Sequence, residues 1–233
     1  MQTNDRLARR EFLFASALAT GALSAVAAAP TSATEALKKL LDGNRRFVAG
    51  QDTAAENQRS PQRRAEIAAG QNPFAVIVAC ADSRVAPELL FDQGLGDLFV
   101  VRVAGNIVTG AGATIKGSIE YGVAELGSPL VMVLGHTHCG AIKAALKHID
   151  DGDAPPGSIG ELVRLIQPIV ARVKGQPGDP LENASRANVL AGVDKLRSLE
   201  PILAPAVTKG RIQIVGATYD LRTGKVVVLT DRK

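Results

Sequence analysis

FAVIVACADSR, residues 74–84, decides how the chain is read. Phe74 to Ala79 is a continuous apolar run rich in β-branched residues, short enough for a strand buried on both faces. It ends abruptly on Cys80, Asp82 and Arg84: a soft metal ligand, a carboxylate and a fixed cation at alternate positions. Alternate residues of an extended segment share a face, so the three side chains can converge. Open α/β sheets collect ligands just beyond the carboxyl ends of their strands, which is where this trio falls.

Working outward, the same strand pattern returns at Leu98–Val103 and Leu130–Leu134. The latter ends on Gly135-His136-Thr137-His138-Cys139-Gly140. Helical periodicity connects the runs: Ile115, Ile119, Val123 and Leu126 on one face, then Ile142, Leu146 and Ile149 on another. Upstream, Ser32 to Glu35 has capping-box spacing ahead of an amphipathic helix carrying Leu37, Leu40, Leu41, Phe47 and Val48. This helix precedes the first strand, so it must dock on something, and a second subunit is the expected surface. Ser60-Pro61 opens another helix that stops at Gly70. Downstream, the acidic, proline-bearing 150–157 reads as a linker, followed by helices over 158–173, kinked at Pro168, and 181–199. Arg211–Gly216 and Lys225–Leu229, joined by a turn at 222–225, form a closing hairpin. The expected class is α/β: a mostly parallel β-sheet flanked by helices, with an antiparallel C-terminal edge hairpin.

Composition sets the outer bounds. Aromatics make up 3 % of 233 residues and Trp is absent, so aliphatic residues pack the core, as suits a helix-covered parallel sheet. A formal charge of +4, with both signs spread along the chain, offers no basic stripe for nucleic acid. At the N-terminus, Arg9-Arg10 precedes an Ala-rich apolar run whose A-x-A triplets end before Pro30. Residues 1–29 therefore read as a twin-arginine-like export signal, and 30–233 as a single domain. The run is short for a span, so no stable membrane anchor is expected after cleavage, and the mature protein is expected in the periplasm or otherwise outside the cytoplasm.

Cys80, Asp82, His136, His138 and Cys139 are the metal-ligand candidates, and neighbouring parallel strands would join them. Two thiolates, one imidazole and a fourth position suit tetrahedral Zn²⁺. Asp82 either fills the fourth position or turns away to Arg84, leaving room for water. Two cysteines in an exported chain also admit a Cys80–Cys139 disulfide in a non-catalytic zinc-binding or redox protein. Export of an already folded protein favours thiolates loaded with metal beforehand. Gly110-Ala111-Gly112 lacks the spacing of a nucleotide loop. His148 reads as a cation at a helix end.

Cys80-x-Asp82-Ser83-Arg84 followed by His136-x-x-Cys139 resembles the β-class carbonic anhydrases, over nearly the whole mature chain. The resemblance includes Gly43-Asn44 and the Arg102…Gly105-Asn106 loop. It implies zinc, one per subunit, on Cys80, His136 and Cys139, with Asp82 a further ligand in an inactive state. In the active state Asp82 pairs with Arg84 and orients zinc-bound hydroxide toward carbon dioxide, and bicarbonate leaves. Gln71 would donate its amide to substrate, while Phe99 and Tyr121 supply apolar walls across the interface of a homodimer or dimer of dimers. Relatives acting on carbon disulfide or carbonyl sulfide make such hydrolysis the alternative. The Trp-based bicarbonate pocket of some members has no Trp here, and His138 is either a proton shuttle or a solvated loop residue.

Overall fold

The structure, a computed structural model, describes residues 32–53 and 60–229, so the export signal expected at 1–29 lies outside the described residues. Among the described residues five strands form one sheet: β1 (Ala75–Ala79), β2 (Leu98–Arg102), β3 (Leu130–His136), β4 (Gln213–Tyr219) and β5 (Val226–Leu229). Their order is β2-β1-β3-β4-β5. All pairings are parallel except β4 with β5, the closing hairpin.

Every residue of β1 and β3 is buried, as their unbroken apolar runs require. Alternate side chains feed two cores. Ile77, Ala79, Met132 and Leu134 face α1 (Ala33–Ala49) and the short α3 (Pro87–Leu90). Val76, Val78, Val131 and Val133 face α4 (Ala113–Ala124), α7 (Pro180–Arg197) and α8 (Leu203–Thr208). A third cluster at the carboxyl ends joins Cys80 and Cys139 to α5 (Gly140–Asp151) and α6 (Gly157–Ala171). α2 (Pro61–Ile67) starts at Ser60, whose hydroxyl accepts Arg63 N–H at 3.1 Å. No described helix is long and apolar enough to cross a membrane.

The first helix docks on its own chain. Ser32 and Glu35 form the expected capping box, and Ala36 and Leu40 enter the core. Asn44, 5 % exposed, ties three segments together. Its Nδ2 donates to Leu90 O at 2.9 Å and Gly224 O at 2.8 Å, and its Oδ1 accepts Val226 N–H at 2.9 Å. Asn44→Ala removes all three bonds and strands buried partners, so thermal or urea denaturation should register a loss of about 2–4 kcal/mol. A loss below about 0.5 kcal/mol would mean that water replaces these bonds freely.

Several boundaries differ from expectation. β3 continues to His136, so this imidazole sits on the strand itself. α5 extends to Asp151, shortening the expected linker. α6 runs past Pro168 as one element, with only its final turn beyond the proline. β4 begins later and continues through Gly216, which is a packing position: a Cβ there would lie 2.8 Å from Val189 Cγ1. Gly135 on β3 is alike, 2.5 Å from Val189 Cγ2, so the two glycines let α7 lie directly against the sheet beside His136.

Candidate active site

The chain passes from β1 to its neighbour β2 and then back across β1 to β3. Strand order therefore reverses between β1 and β3, where an open α/β sheet presents its ligand crevice. Cys80 follows β1, His136 ends β3, and Cys139 caps the N-terminus of α5. Their ligand atoms all lie within 4.8 Å of one another, and all three residues are buried.

The chemistry of this trio fits zinc. Cys80 Sγ and Cys139 Sγ are free thiols 4.0 Å apart. A disulfide needs about 2.05 Å. Two sulfurs on one tetrahedral zinc, at about 2.3 Å each, sit about 3.8 Å apart. His136 Nδ1 lies 2.9 Å from Thr137 O, which fixes the tautomer with the proton on Nδ1. The other nitrogen, Nε2, is buried without a hydrogen-bond partner and presents its lone pair to the sulfurs.

Local donors favour a thiolate. Gly105 N–H points at Cys80 Sγ from 3.2 Å, made possible by its left-handed φ of 73°, and Asp82 N–H approaches to 3.4 Å. Hydrogen bonding from Cys139 pulls the Cys80 thiol down against the opposing effect of burial. The same contact, with burial, pushes Cys139 up, so the metal-free pair retains one proton. Cys139 lies at the positive end of the α5 dipole, which favours its ionisation once a cation is present.

Beside the trio, Arg84 grips Asp82 at two points: Nε to Oδ1 at 2.9 Å and Nη2 to Oδ2 at 2.8 Å. Arg84 N–H adds a third bond to Oδ1 at 3.0 Å. This guanidinium holds the Asp82 carboxyl well below the usual carboxylate range. The carboxylate nevertheless stays close to the cluster, with Oδ2 3.9 Å from His136 Nε2.

The carbonic anhydrase family model matches residues 75–226. Carbonic anhydrase 2 of Mycobacterium tuberculosis is 42 % identical over 198 residues, 85 % of this chain and 93 % of its own. A β-carbonic anhydrase from Coccomyxa, solved with acetazolamide, is 28 % identical with a TM-score of 0.64, covering 83 % of this chain and 86 % of that one. The chain belongs to the β-carbonic anhydrases. Two tetrameric β-carbonic anhydrases of Sordaria macrospora are represented by a structure sharing the fold, with a TM-score of 0.66 at 23 % identity over 84 % of this chain and 97 % of that one. The family is one of zinc-dependent enzymes, carbonate dehydratases by activity.

Not every expected site residue lies near the cysteines of this β-carbonic anhydrase. Phe99 pairs with Val76, four residues before Cys80, hence roughly 13 Å back along the strands. Tyr121 on α4 stacks with Phe99 at a centroid distance of 6.1 Å and is 48 % exposed. Gln71 is exposed ahead of β1. Within one chain these three border the opposite end of the sheet. His138 is exposed with φ 53°, and its carbonyl, 3.5 Å from Arg84 Nη2, is what faces the ion pair. The Gly105 amide and the Arg102 side chain, by contrast, reach the site without having been assigned roles there from sequence. Their sequence signals are the family resemblance of the Arg102…Gly105-Asn106 loop and its place at the end of an apolar run, much as Cys80 follows its own; Gly105 lies three residues beyond Arg102.

Proposed function

We propose that this chain reversibly hydrates carbon dioxide to bicarbonate and a proton, with zinc on Cys80, His136 and Cys139 and with Asp82 orienting the attacking water. The commitment of the Asp82 carboxylate to Arg84 carries this reading, because it leaves the fourth position of a Cys₂His centre to water. Zinc there would supply a Lewis acid that brings the pKa of water to about 7, a value known from carbonic anhydrases themselves and not deduced from this geometry. Asp82 Oδ2, the carboxylate oxygen near His136 Nε2, accepts a hydrogen bond from the attacking oxygen and so turns that oxygen's lone pair toward the carbon of carbon dioxide. Arg84 keeps that carboxylate ionised, so it can only accept. A carbon–oxygen bond forms, the proton lost from water passes to solvent, and bicarbonate departs.

Gln71, Phe99 and Tyr121 serve the site of a second copy in this reading. They border the wrong end of their own sheet, and the exposed Tyr121 offers an apolar surface for a partner. A homodimer, or a dimer of such dimers, follows. The Arg9-Arg10 pair and the Ala-rich run behind it support delivery to the periplasm with metal already loaded.

Stopped-flow measurement on purified zinc-loaded protein should show carbon dioxide hydration between about pH 7 and 9, with about one zinc per subunit. Light scattering should give at least a dimer. Turnover of carbon disulfide or carbonyl sulfide without hydration would move the substrate. A fully active monomer would remove the shared pocket.

A further inference from the structure

Pairing between β1 and β2 continues past the end of β1. Val103 N–H donates to Ala79 O at 3.1 Å and Ala81 N–H to Val103 O at 3.2 Å, so the ladder runs one step into the loop that carries the site. Beyond it, one side chain serves the carbonyls of both Cys80 and Asp82. Arg102, the last residue of β2 and the register partner of Ala79, sends Nε to Cys80 O at 3.0 Å and Nη2 to Asp82 O at 2.7 Å. Val85 N–H also reaches the Asp82 carbonyl, at 3.0 Å, so that peptide is held from two sides. A planar guanidinium bridges two acceptors in fixed geometry, which the compact ammonium of lysine does not.

We propose that Arg102 is a positioning residue of this active site: through the Cys80 and Asp82 carbonyls it fixes the backbone that commits the Asp82 carboxylate to Arg84. Little motion separates the two fates of that carboxylate. Oδ2 lies 2.8 Å from Arg84 Nη2 and 3.9 Å from His136 Nε2, so a modest rotation of the Asp82 peptide exchanges the guanidinium for the metal position. Arg84 holds the carboxylate only where its own backbone and that of Asp82 place the two together, two residues apart on one turn. Arg102 anchors that turn from outside it. The inference deepens the proposed hydration reaction and rests on it.

The exposed position of Arg102 makes Arg102→Gln a change the fold should tolerate. Its kcat for carbon dioxide hydration should fall roughly 10- to 100-fold, with zinc content and melting temperature close to wild type. In an Asp82→Asn background the same change should have little further effect, because the group it positions is gone. With cobalt(II) in place of zinc, Arg102→Gln should show an altered visible spectrum as the carboxylate enters the metal sphere, and Asp82→Asn/Arg102→Gln should not show this alteration. Unchanged kcat, loss of zinc, or an equal fold-loss in both backgrounds would overturn the proposal. If the wild type itself failed to hydrate carbon dioxide, the hydration reading would fall. The cobalt spectra would still decide whether Arg102 holds Asp82 off the metal.

Discussion

Cys139→Ser is expected to release zinc and lower carbon dioxide hydration by at least about a thousandfold. The size follows from what the metal does: it moves the ionisation of water from a pKa of about 15.7 to about 7, a shift known from carbonic anhydrases, and without it the nucleophile scarcely exists at neutral pH. Serine keeps the volume of a residue that is 1 % exposed but replaces a soft thiolate with a hydroxyl that binds zinc poorly. Metal analysis and stopped-flow hydration on the same sample measure both effects. Full zinc occupancy with hydration retained would show that Cys139 is not a ligand. A disulfide role predicts something else: no free thiols in the wild type after metal removal, against the two separate thiols seen here.

How much of this was legible beforehand depends on distance along the chain. The strands β1 and β3 were readable because burial on both faces writes itself as an unbroken apolar run. The alternation Cys80-Asp82-Arg84 placed the ion pair because all its geometry is local. Glycine misled at β4, where Gly216 looks like a strand end and instead makes room for Val189 of α7. Nothing in a linear pattern distinguishes those two uses. Arg102 and Gly105 reach Cys80 only because β2 pairs with β1 in the register Ala79–Arg102, and register belongs to the assembled sheet. For Gln71, Phe99 and Tyr121, spacing from the motifs could be read but not the end of the sheet at which they lie.

The ion pair beside the proposed metal centre carries the other large effect. Asp82→Asn should lower hydration by about 10²–10³-fold while zinc stays bound, since Cys80, His136 and Cys139, the proposed ligands, are untouched. Asparagine fills the same space but lacks the charge, and its amide can donate where the reaction needs an acceptor. Arg84→Ala should cost a comparable factor by a different route. Without the two guanidinium bonds, the Asp82 carboxyl returns toward its ordinary pKa of about 3.9 and stays ionised at neutral pH. An ionised carboxylate 3.9 Å from His136 Nε2, freed from its counter-ion, would find a zinc held by Cys80, His136 and Cys139 its nearest strong partner and would close the position that water needs. The two losses therefore share one cause, and Asp82→Asn/Arg84→Ala should be far less impaired than the product of the single factors. Cobalt(II) spectra separate the routes: Arg84→Ala gains a carboxylate in the metal sphere, whereas Asp82→Asn does not. Additive losses, with identical spectra in the two single variants, would mean that Arg84 acts on substrate directly and that Asp82 is not what it holds in place.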